Sequence, residues 1–246
     1  MTDGQTLATK LAAGEHLKVG IIGAMDEEVE LLKNSQQGRE DTTIAGYSFF
    51  TGTLHGHQVV LLKSGIGKVN AAIGTALLLQ EFKPDCVINT GSAGGFDPAL
   101  NVGDVVISSE VRHHDVDVTV FGYEPGQVPG QPAAFLPDEL LAKTAEQCIA
   151  HMEGIQTVRG LIATGDAFMN DPQRVERTRE TFPQMKAVEM EAAAIAQTCV
   201  QFQVPFLVIR SLSDIAGKES NISFEEYLPV AGKNSAQMIM AIVDAL

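Results

Sequence analysis

Carboxylates that follow apolar segments are the residues of this sequence best suited to acid–base chemistry. The apolar run at 20–25 leads into four acids, and a helical projection at about 100° per residue places Glu28 at the border of the apolar face. The other acids, Asp26, Glu27 and Glu30, point away from that face and complement the positive end of the helix dipole. Glu28 is therefore the acid of this group that we expect to have a chemical role.

A second carboxylate, Glu191, begins an alanine-rich helix. At helical spacing it shares a face with Ile195 and Cys199, and this face is too apolar for a solvated acid. A buried carboxylate needs hydrogen-bond donors, which either protein groups or the hydroxyls of a ribose could supply. We favour a ligand-binding role for Glu191.

A third carboxylate, Asp214, closes the apolar strand predicted at 206–212. An aspartate in this position commonly caps the following turn. Ser211 and Ser213 lie two residues apart, so a regular strand would put both hydroxyls on one face, where they could orient the terminal acid. This arrangement favours a functional role for Asp214.

Other motifs indicate neither a cofactor nor a metal. The glycine spacing at 91–95 does not match the dinucleotide-binding fingerprint, and the segment at 65–68 lacks two required residues of a phosphate-binding loop. His113, His114 and Asp115 are adjacent, so on a strand their side chains would alternate between its faces and would not converge on one ion. We therefore expect no cofactor and no bound metal.

The elements that must position these residues follow from the hydrophobic pattern. Short Val- and Ile-rich runs predict strands at 18–25, 58–64, 86–90, 103–109, 160–163, 187–190 and 206–212. Helical character is found at 27–34, 68–82, 138–153, 171–180, 191–202 and 224–245. This alternation predicts an α/β fold, a three-layer sandwich with a mixed, largely parallel central sheet flanked by helices. The antiparallel part is the pair at 43–53 and 57–64, which only a short turn separates.

The composition of the chain limits which classes of partner and which cellular compartment are expected. A formal net charge of -14 at pH 7 argues against nucleic acid and anionic membranes as partners, and a small neutral or zwitterionic ligand fits better. The three cysteines show neither a disulfide nor a zinc pattern, which fits a cytoplasmic protein. Residues 1–16 carry no signal-peptide pattern, and we expect them to form a flexible N-terminal extension before a single domain at 17–246.

Residues 121–135 are rich in Gly and Pro and predict a long loop with exposed apolar side chains. Long ordered loops of this kind often cover a site or meet a partner. Packing of the loop on its own subunit is an equally good interpretation. Composition alone leaves both open.

Several short motifs occur in an order typical of one known family, and together they cover nearly the whole chain from about Leu17. They are Val19–Met25 with Glu27 and Glu28, Lys63–Asn70, Asn89–Gly95, Thr164–Phe168, Val188–Glu191 and Arg210–Asp214. Each motif is weak alone. In their shared order they make the sequence resemble the 5'-methylthioadenosine/S-adenosylhomocysteine nucleosidases of the nucleoside phosphorylase superfamily.

The resemblance implies a nucleoside phosphorylase-like fold and an activity. Methylthioadenosine, S-adenosylhomocysteine and 5'-deoxyadenosine would be hydrolysed to adenine and a 5-substituted ribose, in methionine salvage and the recycling of S-adenosylmethionine by-products. Glu28 would activate the attacking water, and Asp214 would protonate N7 of adenine. Because positive charge develops on the sugar and negative charge on the base, a carboxylate for the water and an acid for the base suit this reaction.

The resemblance also implies which residues bind the nucleoside. Glu191 would hold the ribose hydroxyls, with Met190 beside the sugar and Ser92 near the water. Phe168 would stack on adenine, and the Met169 backbone would read its amino edge. The remaining implied substrate-binding residues are Met25, Ile66, Gly94 and Phe224, together with Arg210 as the neighbour that organises the site.

The family is dimeric, so the resemblance implies a homodimer. Val118, Phe121, Tyr123 and Pro129 match positions that close the 5'-thio pocket of the other subunit. This match gives the Gly- and Pro-rich loop a role.

Two other functions remain compatible with these residues. A phosphorylase of the same superfamily would use phosphate, but a carboxylate at Glu28 would repel a phosphate dianion, and no arginine cluster lies near the first strand. A nucleoside-binding module could share the fold without any chemistry, although the presence of Glu28, Glu191 and Asp214 together counts against it. The preference among 5'-substituted adenosines depends on loop positions and does not follow from these motifs.

Overall fold

The computed structural model describes residues 6–150, 152, 154–215 and 224–246, and in the last range it describes side chains from residue 227 onward. Within this part of the chain, ten strands form one sheet. The strands are β1 (Lys18–Gly23), β2 (Gln37–Ile44), β3 (Tyr47–Leu54), β4 (His57–Lys63), β5 (Cys86–Asn89), β6 (Ser92–Gly95), β7 (Val105–His113), β8 (Thr157–Thr164), β9 (Met185–Glu189) and β10 (Phe206–Ile215).

Helices precede or follow most strands. They are α1 (Leu7–Ala12), α2 (Asp26–Ser35), α3 (Lys68–Leu77), α4 (Glu139–Ile149), α5 (Pro172–Thr181), α6 (Ala192–Phe202) and α7 (Phe224–Asp244), and a π-helical turn at Leu78–Phe82 continues α3. In the described ranges, none of the helices is both long and apolar enough to cross a membrane.

The sheet is mixed, and its strands run in the order β2-β3-β4-β1-β5-β10-β6-β9-β8-β7, with a further pairing between β10 and β7. β4, β1, β5 and β10 are parallel neighbours, and β8 is parallel to both β7 and β9. The pairs β2–β3, β3–β4, β6–β9 and β7–β10 are antiparallel. The predicted mixed, largely parallel sheet is confirmed, and so is the antiparallel pair, which is β3 and β4.

Helices cover both faces of the sheet because successive side chains of its central strands point to opposite sides. In β10, Val208 and Leu212 belong to the core beneath α3 and α6. Leu207 and Ile209 belong to the opposite core, beneath α2, α4 and α7. A strand that is buried on both faces consists of continuous apolar residues, which explains the runs that predicted β1, β5 and β10.

Two strands have no apolar signature in the sequence. β2 is an edge strand whose side chains are almost all exposed, and β6 consists of small residues. The small residues of β6 let its neighbours approach closely, since a Cβ atom on Gly95 would overlap the side chain of Ile215. Tertiary packing, rather than local propensity, defines both strands.

The N-terminal segment contains the short helix α1, which lies within the expected flexible extension. The hydroxyl of Thr6 accepts a hydrogen bond from the N–H of Thr9 and caps α1, and Leu7 is buried in the core. Lys10 forms an ion pair with Asp85, just before β5, at 2.7 Å. A buried leucine and an ion pair thus attach this helix to the sheet, and the expected flexible extension at 1–16 stays a prediction. A single domain at 17–246 stays a prediction.

Candidate active site

A cleft opens beside β6 and the carboxyl ends of β1 and β10. Its empty volume is about 840 Å³, including the part of its mouth that is open to solvent. The sequence-predicted residues that line the cleft are Met25, Glu28, Ile66, Ser92, Gly94, Phe168, Met169, Met190, Glu191 and Asp214. The fold thus brings together residues that are far apart in the sequence.

Glu28 lies in the first turn of α2 and is almost completely buried. Its Oε2 accepts hydrogen bonds from the N–H of Ala24 at 2.7 Å and of Met25 at 3.3 Å, so the side chain caps its own helix. Its Oε1 accepts hydrogen bonds from the N–H of Ser92 at 3.0 Å and from the Ser92 hydroxyl at 3.2 Å. Because this hydroxyl can rotate, it can release an acceptor position on Oε1 to a ligand in the cleft.

Glu191 lies at the N-terminus of α6 and is buried. Its Oε1 accepts a hydrogen bond from the N–H of Gly67 at 2.9 Å, and its Oε2 lies 3.7 Å from the guanidinium of Arg210. Burial, reinforced by the charge of Glu189, raises the pKa of Glu191 to about 7. A carboxylate offers about four acceptor positions, so positions remain for ligand hydroxyls.

Sequence reasoning missed Glu189, a buried carboxylate two residues before Glu191. Its Oε2 accepts hydrogen bonds from the N–H of Glu191 at 2.9 Å and of the next residue at 2.8 Å, and so caps α6. Oε2 also accepts a hydrogen bond from the guanidinium of Arg210, and Oε1 accepts one from the hydroxyl of Thr164. The sequence alone does not separate an acid that caps the next helix from one that binds a ligand.

Arg210 lies behind the cleft and is not among the described residues that line it. Its side chain is 1% exposed and donates hydrogen bonds to Oδ1 of Asn89 at 2.8 Å and to the carbonyl of Thr90 at 3.3 Å. Gly91, at a φ of 151°, passes so close that a Cβ atom there would overlap both this guanidinium and the Glu28 carboxylate. Arg210 therefore supports the turn between β5 and β6 and the glutamates around it.

Asp214 is partly buried near the end of β10. Burial raises the pKa of the Asp214 carboxyl, and a hydrogen bond from the Ser213 hydroxyl at 2.8 Å opposes this rise. The same hydroxyl lies 3.2 Å from the carbonyl oxygen of Ala93. A hydroxyl has one proton, so Ser213 can donate to an ionised Asp214, or accept from a protonated one while it donates to Ala93.

The predicted pairing of both serines with Asp214 is only half right. The Ser211 hydroxyl forms no hydrogen bond within the described part of the chain. The pairing of β10 with β6 shifts register between Leu212 and Asp214, and such an irregularity ends the regular alternation that the prediction assumed. Of the two serines, Ser213 is the one that orients the acid.

The mouth of the cleft is apolar. Phe168, which is 56% exposed, and Ile66, which is 51% exposed, both line it. Met169 and Phe96 extend this apolar surface inward. Exposed aromatic and aliphatic side chains beside a polar wall suit a ligand with a flat apolar part.

The residues predicted to close a 5' pocket lie elsewhere. Val118, Phe121, Tyr123 and Pro129 follow β7, and none of them is among the described residues that line this cleft. Phe121 belongs to a 3-10 turn and is 77% exposed. Phe224 is the first residue of α7, but its side chain lies outside the described residues.

The charged groups around the cleft are distributed unevenly. Among the described residues that line it, none is a lysine or an arginine.

The side chains that invited a metal interpretation have separate partners, since His113 lies 3.1 Å from Gln197 and Asp115 pairs with Lys68 at 2.6 Å. Metal-ligating side chains form no group of three or more in the part of the chain that was described.

Comparison with known proteins identifies the class to which this sheet and cleft belong: residues 18–244 match the family model described as the phosphorylase superfamily. A 5'-methylthioadenosine/S-adenosylhomocysteine nucleosidase of Lysinibacillus sphaericus is 64% identical over 230 residues, which cover 94% of this chain and 100% of the relative. The chain belongs to the 5'-methylthioadenosine/S-adenosylhomocysteine nucleosidase family. The family and the fold that the motifs predicted are confirmed.

Solved structures agree with this assignment. The nucleosidase of Colwellia psychrerythraea in complex with adenine has a TM-score of 0.91 at 54% identity, covering 94% of this chain and 96% of that chain. The nucleosidase of Neisseria meningitidis in complex with methylthio-immucillin-A has a TM-score of 0.90 at 50% identity, covering 93% of this chain and 99% of that chain.

Proposed function

We propose that this protein uses water to break the N-glycosidic bond of 5'-methylthioadenosine and S-adenosylhomocysteine and releases adenine. The observation that carries the proposal is that Glu28, Glu191 and Asp214 line one cleft, whose described lining residues include no cation. A phosphate dianion would meet only negative charge at Glu28, whereas water is a neutral nucleophile. The names of relatives above 60% identity support the same substrates.

Glu28 is the general base of the proposed reaction. The rotating hydroxyl of Ser92 opens an acceptor position on Oε1, where a water molecule can donate its hydrogen bond. As the water oxygen bonds to the anomeric carbon, Glu28 takes the proton. The fixed backbone donors at Ala24 and Ser92 keep the carboxylate aimed at this position.

Asp214 is the general acid. When the glycosidic bond breaks, its electron pair moves onto the base, and a proton from Asp214 to N7 lets adenine leave as a neutral molecule. A raised pKa suits this donor, because more of the carboxyl is protonated near neutral pH. After the transfer, the Ser213 hydroxyl stabilises the new carboxylate by donating to it.

Glu191 holds the sugar between these two groups. Its free acceptor positions bind the ribose hydroxyls, which supply the donors that a buried carboxylate needs. As positive charge develops on the ring, an ionised Glu191 stabilises the transition state more than the ground state. Met190 lies beside it in the cleft wall and packs against the ribose.

The protein acts as a homodimer in this proposal. Exposed apolar residues on α3, α6 and the segment after β7 support a second copy as the occupant of this face: Val69, Ile73, Val120, Phe121, Val200 and Phe202. Val118, Phe121, Tyr123 and Pro129 of one subunit then close the 5' end of the other cleft over Ile66. Light scattering of the purified protein tests this arrangement, and an active monomer would contradict it.

The reaction takes place in the cytoplasm. The support for this is chemical: all three cysteines are free thiols, and Cys86 and Cys199 are buried. Burial raises the pKa of both thiols far above neutral, so they remain unreactive in a reducing compartment.

Adenine release, measured with and without inorganic phosphate, tests the proposed function. We expect turnover of methylthioadenosine and S-adenosylhomocysteine at the same rate in phosphate-free buffer and in phosphate, with the free 5-substituted ribose as the second product. A requirement for phosphate, with a sugar phosphate as product, would identify a phosphorylase. Adenosine binding without turnover in either buffer would identify a binding module.

A further inference from the structure

Three chain segments meet in a closed ring of polar contacts beside the cleft. The ammonium of Lys68 donates to Oδ1 of Asp115 at 2.6 Å, and the N–H of Asp166 donates to Oδ2 of the same carboxylate at 2.9 Å. The ring closes where the N–H of Lys68 donates to Oδ1 of Asp166 at 2.7 Å. We call Lys68, Asp115 and Asp166 the polar bridge. It joins the start of α3 to the segments that follow β7 and β8.

The polar bridge lies between two parts of the site that contact different halves of a nucleoside. On one side, Gly67 directly precedes Lys68, and its N–H holds Oε1 of Glu191 at 2.9 Å. On the other side, Asp166 lies two residues before Phe168, in the loop that lines the mouth. We call the loop that carries Asp166 and Phe168 the adenine loop. A movement of the polar bridge would therefore shift this loop together with Glu191, the carboxylate proposed to bind ribose.

The start of α3 depends on these outside acceptors. Gly67 has no side chain with which to cap the helix, and its φ of 95° favours glycine. The N–H of Gly67, just before the helix, instead donates to Glu191, and the N–H of Lys68, its first residue, donates to Asp166. Two carboxylates from separate segments thus share one helix terminus.

Within the polar bridge, Lys68 and Asp115 form an ion pair. The side chains of Lys68 and Asp115 are mostly buried, which limits screening by solvent. Burial alone would raise the pKa of Asp115, but the hydrogen bonds from Lys68 and from the N–H of Asp166 lower it overall. Loss of the Lys68 ammonium would leave the Asp115 carboxylate, which accepts from the N–H of Asp166, without its charge partner.

We propose that the polar bridge is a positioning device that fixes the adenine loop and the Gly67 N–H in one arrangement and thereby sets the affinity of the site for both adenine and ribose. Lys68, Asp115 and Asp166 are positioning residues in this inference, because none of them takes part in the proton transfers. The inference rests on the proposed function for its ligand.

The test compares Lys68→Met and Asp115→Asn with the unmodified protein. The dissociation constant of adenine, measured by calorimetry, is expected to rise about tenfold in each variant, the size of one lost charge-assisted hydrogen bond. KM for methylthioadenosine is expected to rise by a similar factor, and kcat to fall less than threefold. Lys68→Arg should recover most of the affinity, since it keeps the charge.

The double variant and a matched control sharpen this test. If the two side chains act as one unit, the double variant should be no weaker than either single variant. Lys63→Met removes another lysine of the region, which pairs with Asp26 at 2.9 Å on a more exposed surface, and it should leave adenine affinity unchanged.

Adenine affinity within twofold of the unmodified protein in both single variants would overturn the inference, and so would a fall in kcat with KM unchanged. Turnover by the unmodified protein decides the proposed function separately. If that protein binds adenine without turning over nucleoside, the proposed function fails, while the affinity ratios of the variants still decide the inference about the polar bridge.

Discussion

The cleft has two unlike regions. Its inner wall, formed by Glu28, Glu189 and Glu191, is buried and held by backbone N–H groups and by Arg210 behind it. Its outer rim, formed by Ile66 and Phe168, is apolar and more than half exposed. Buried carboxylates must have their partners in place before a substrate arrives, whereas exposed apolar side chains gain stability when another surface covers them. The inner wall therefore has its polar partners within one chain, and the covering of the outer rim by a second subunit stays a prediction.

The largest effect is expected from a substitution in the inner wall. Glu28→Gln should lower kcat by about a hundredfold to ten-thousandfold, because an amide cannot take a proton from water. The same change should lower the free energy of unfolding by about 1–3 kcal/mol, since the new NH2 group would face the N–H of Ala24 or Ser92 and leave a buried donor unsatisfied. Steady-state kinetics and urea unfolding measure the two losses.

Glu27→Gln is the matched control for this prediction. Glu27 is the neighbouring acid on the exposed side of α2, so neither kcat nor stability should change by more than a small factor. Turnover near that of the unmodified protein in Glu28→Gln would remove Glu28 from the mechanism.

Replacement of the general acid Asp214 should have the next largest effect. Asp214→Asn should lower kcat for methylthioadenosine by about a hundredfold, because adenine would have to leave as an anion. The loss should shrink for a nucleoside analogue whose base is a better leaving group and needs no protonation. Glu28→Gln should lower kcat by the same factor with both substrates, relative to the unmodified protein. An equal loss for both substrates in Asp214→Asn would show that Asp214 does not protonate the base.

Phe121, which the proposed second subunit would place over the outer rim, should affect affinity rather than chemistry. Phe121→Ala should raise KM for methylthioadenosine about tenfold, the scale of one large apolar side chain lost from a pocket, with little change in kcat. KM for 5'-deoxyadenosine, which has no thio substituent, serves as the control and should change much less. An equal rise for both substrates would mean that Phe121 does not contact the 5' group.

The same two regions differ in how far sequence could predict them. Glu28 and Asp214 follow strands that are buried on both faces, and those strands have a strong apolar signature. Glu189 was missed because a helix-capping acid and a ligand-binding acid look alike until their partners are known. The polar bridge was missed because Lys68 and Asp115 are 47 residues apart, and only the fold makes them neighbours.

Local pattern also failed where tertiary packing overrides it. The exposed edge strand β2 and the small-residue strand β6 have no periodic apolar signal. The register shift near Leu212 removed Ser211 from the predicted pair of serines, because one irregularity changes which face each later side chain occupies. The roles assigned at the outer rim depend on a second subunit and stay predictions.

The smallest expected effect separates the two serines and tests how Ser213 changes the pKa of the general acid Asp214. Ser213→Ala removes a hydrogen bond that stabilises ionised Asp214, so the already raised pKa of Asp214 should rise further. A general acid must be protonated in the free enzyme, and kcat/KM therefore falls as pH rises through its pKa. The alkaline limb of the kcat/KM profile should move to higher pH by about half a unit to one unit, the equivalent of roughly 1 kcal/mol.

Ser211→Ala provides the comparison on the same strand. Its hydroxyl makes no hydrogen bond in the described part of the chain, so its removal should leave the alkaline limb where it is in the unmodified protein. If both variants shifted the limb equally, the shift would come from a general change in burial rather than from the Ser213 hydroxyl. If neither shifted it, a group other than Asp214 would control the alkaline limb. A shift in Ser213→Ala alone would show that the Ser213 hydroxyl lowers the pKa of Asp214.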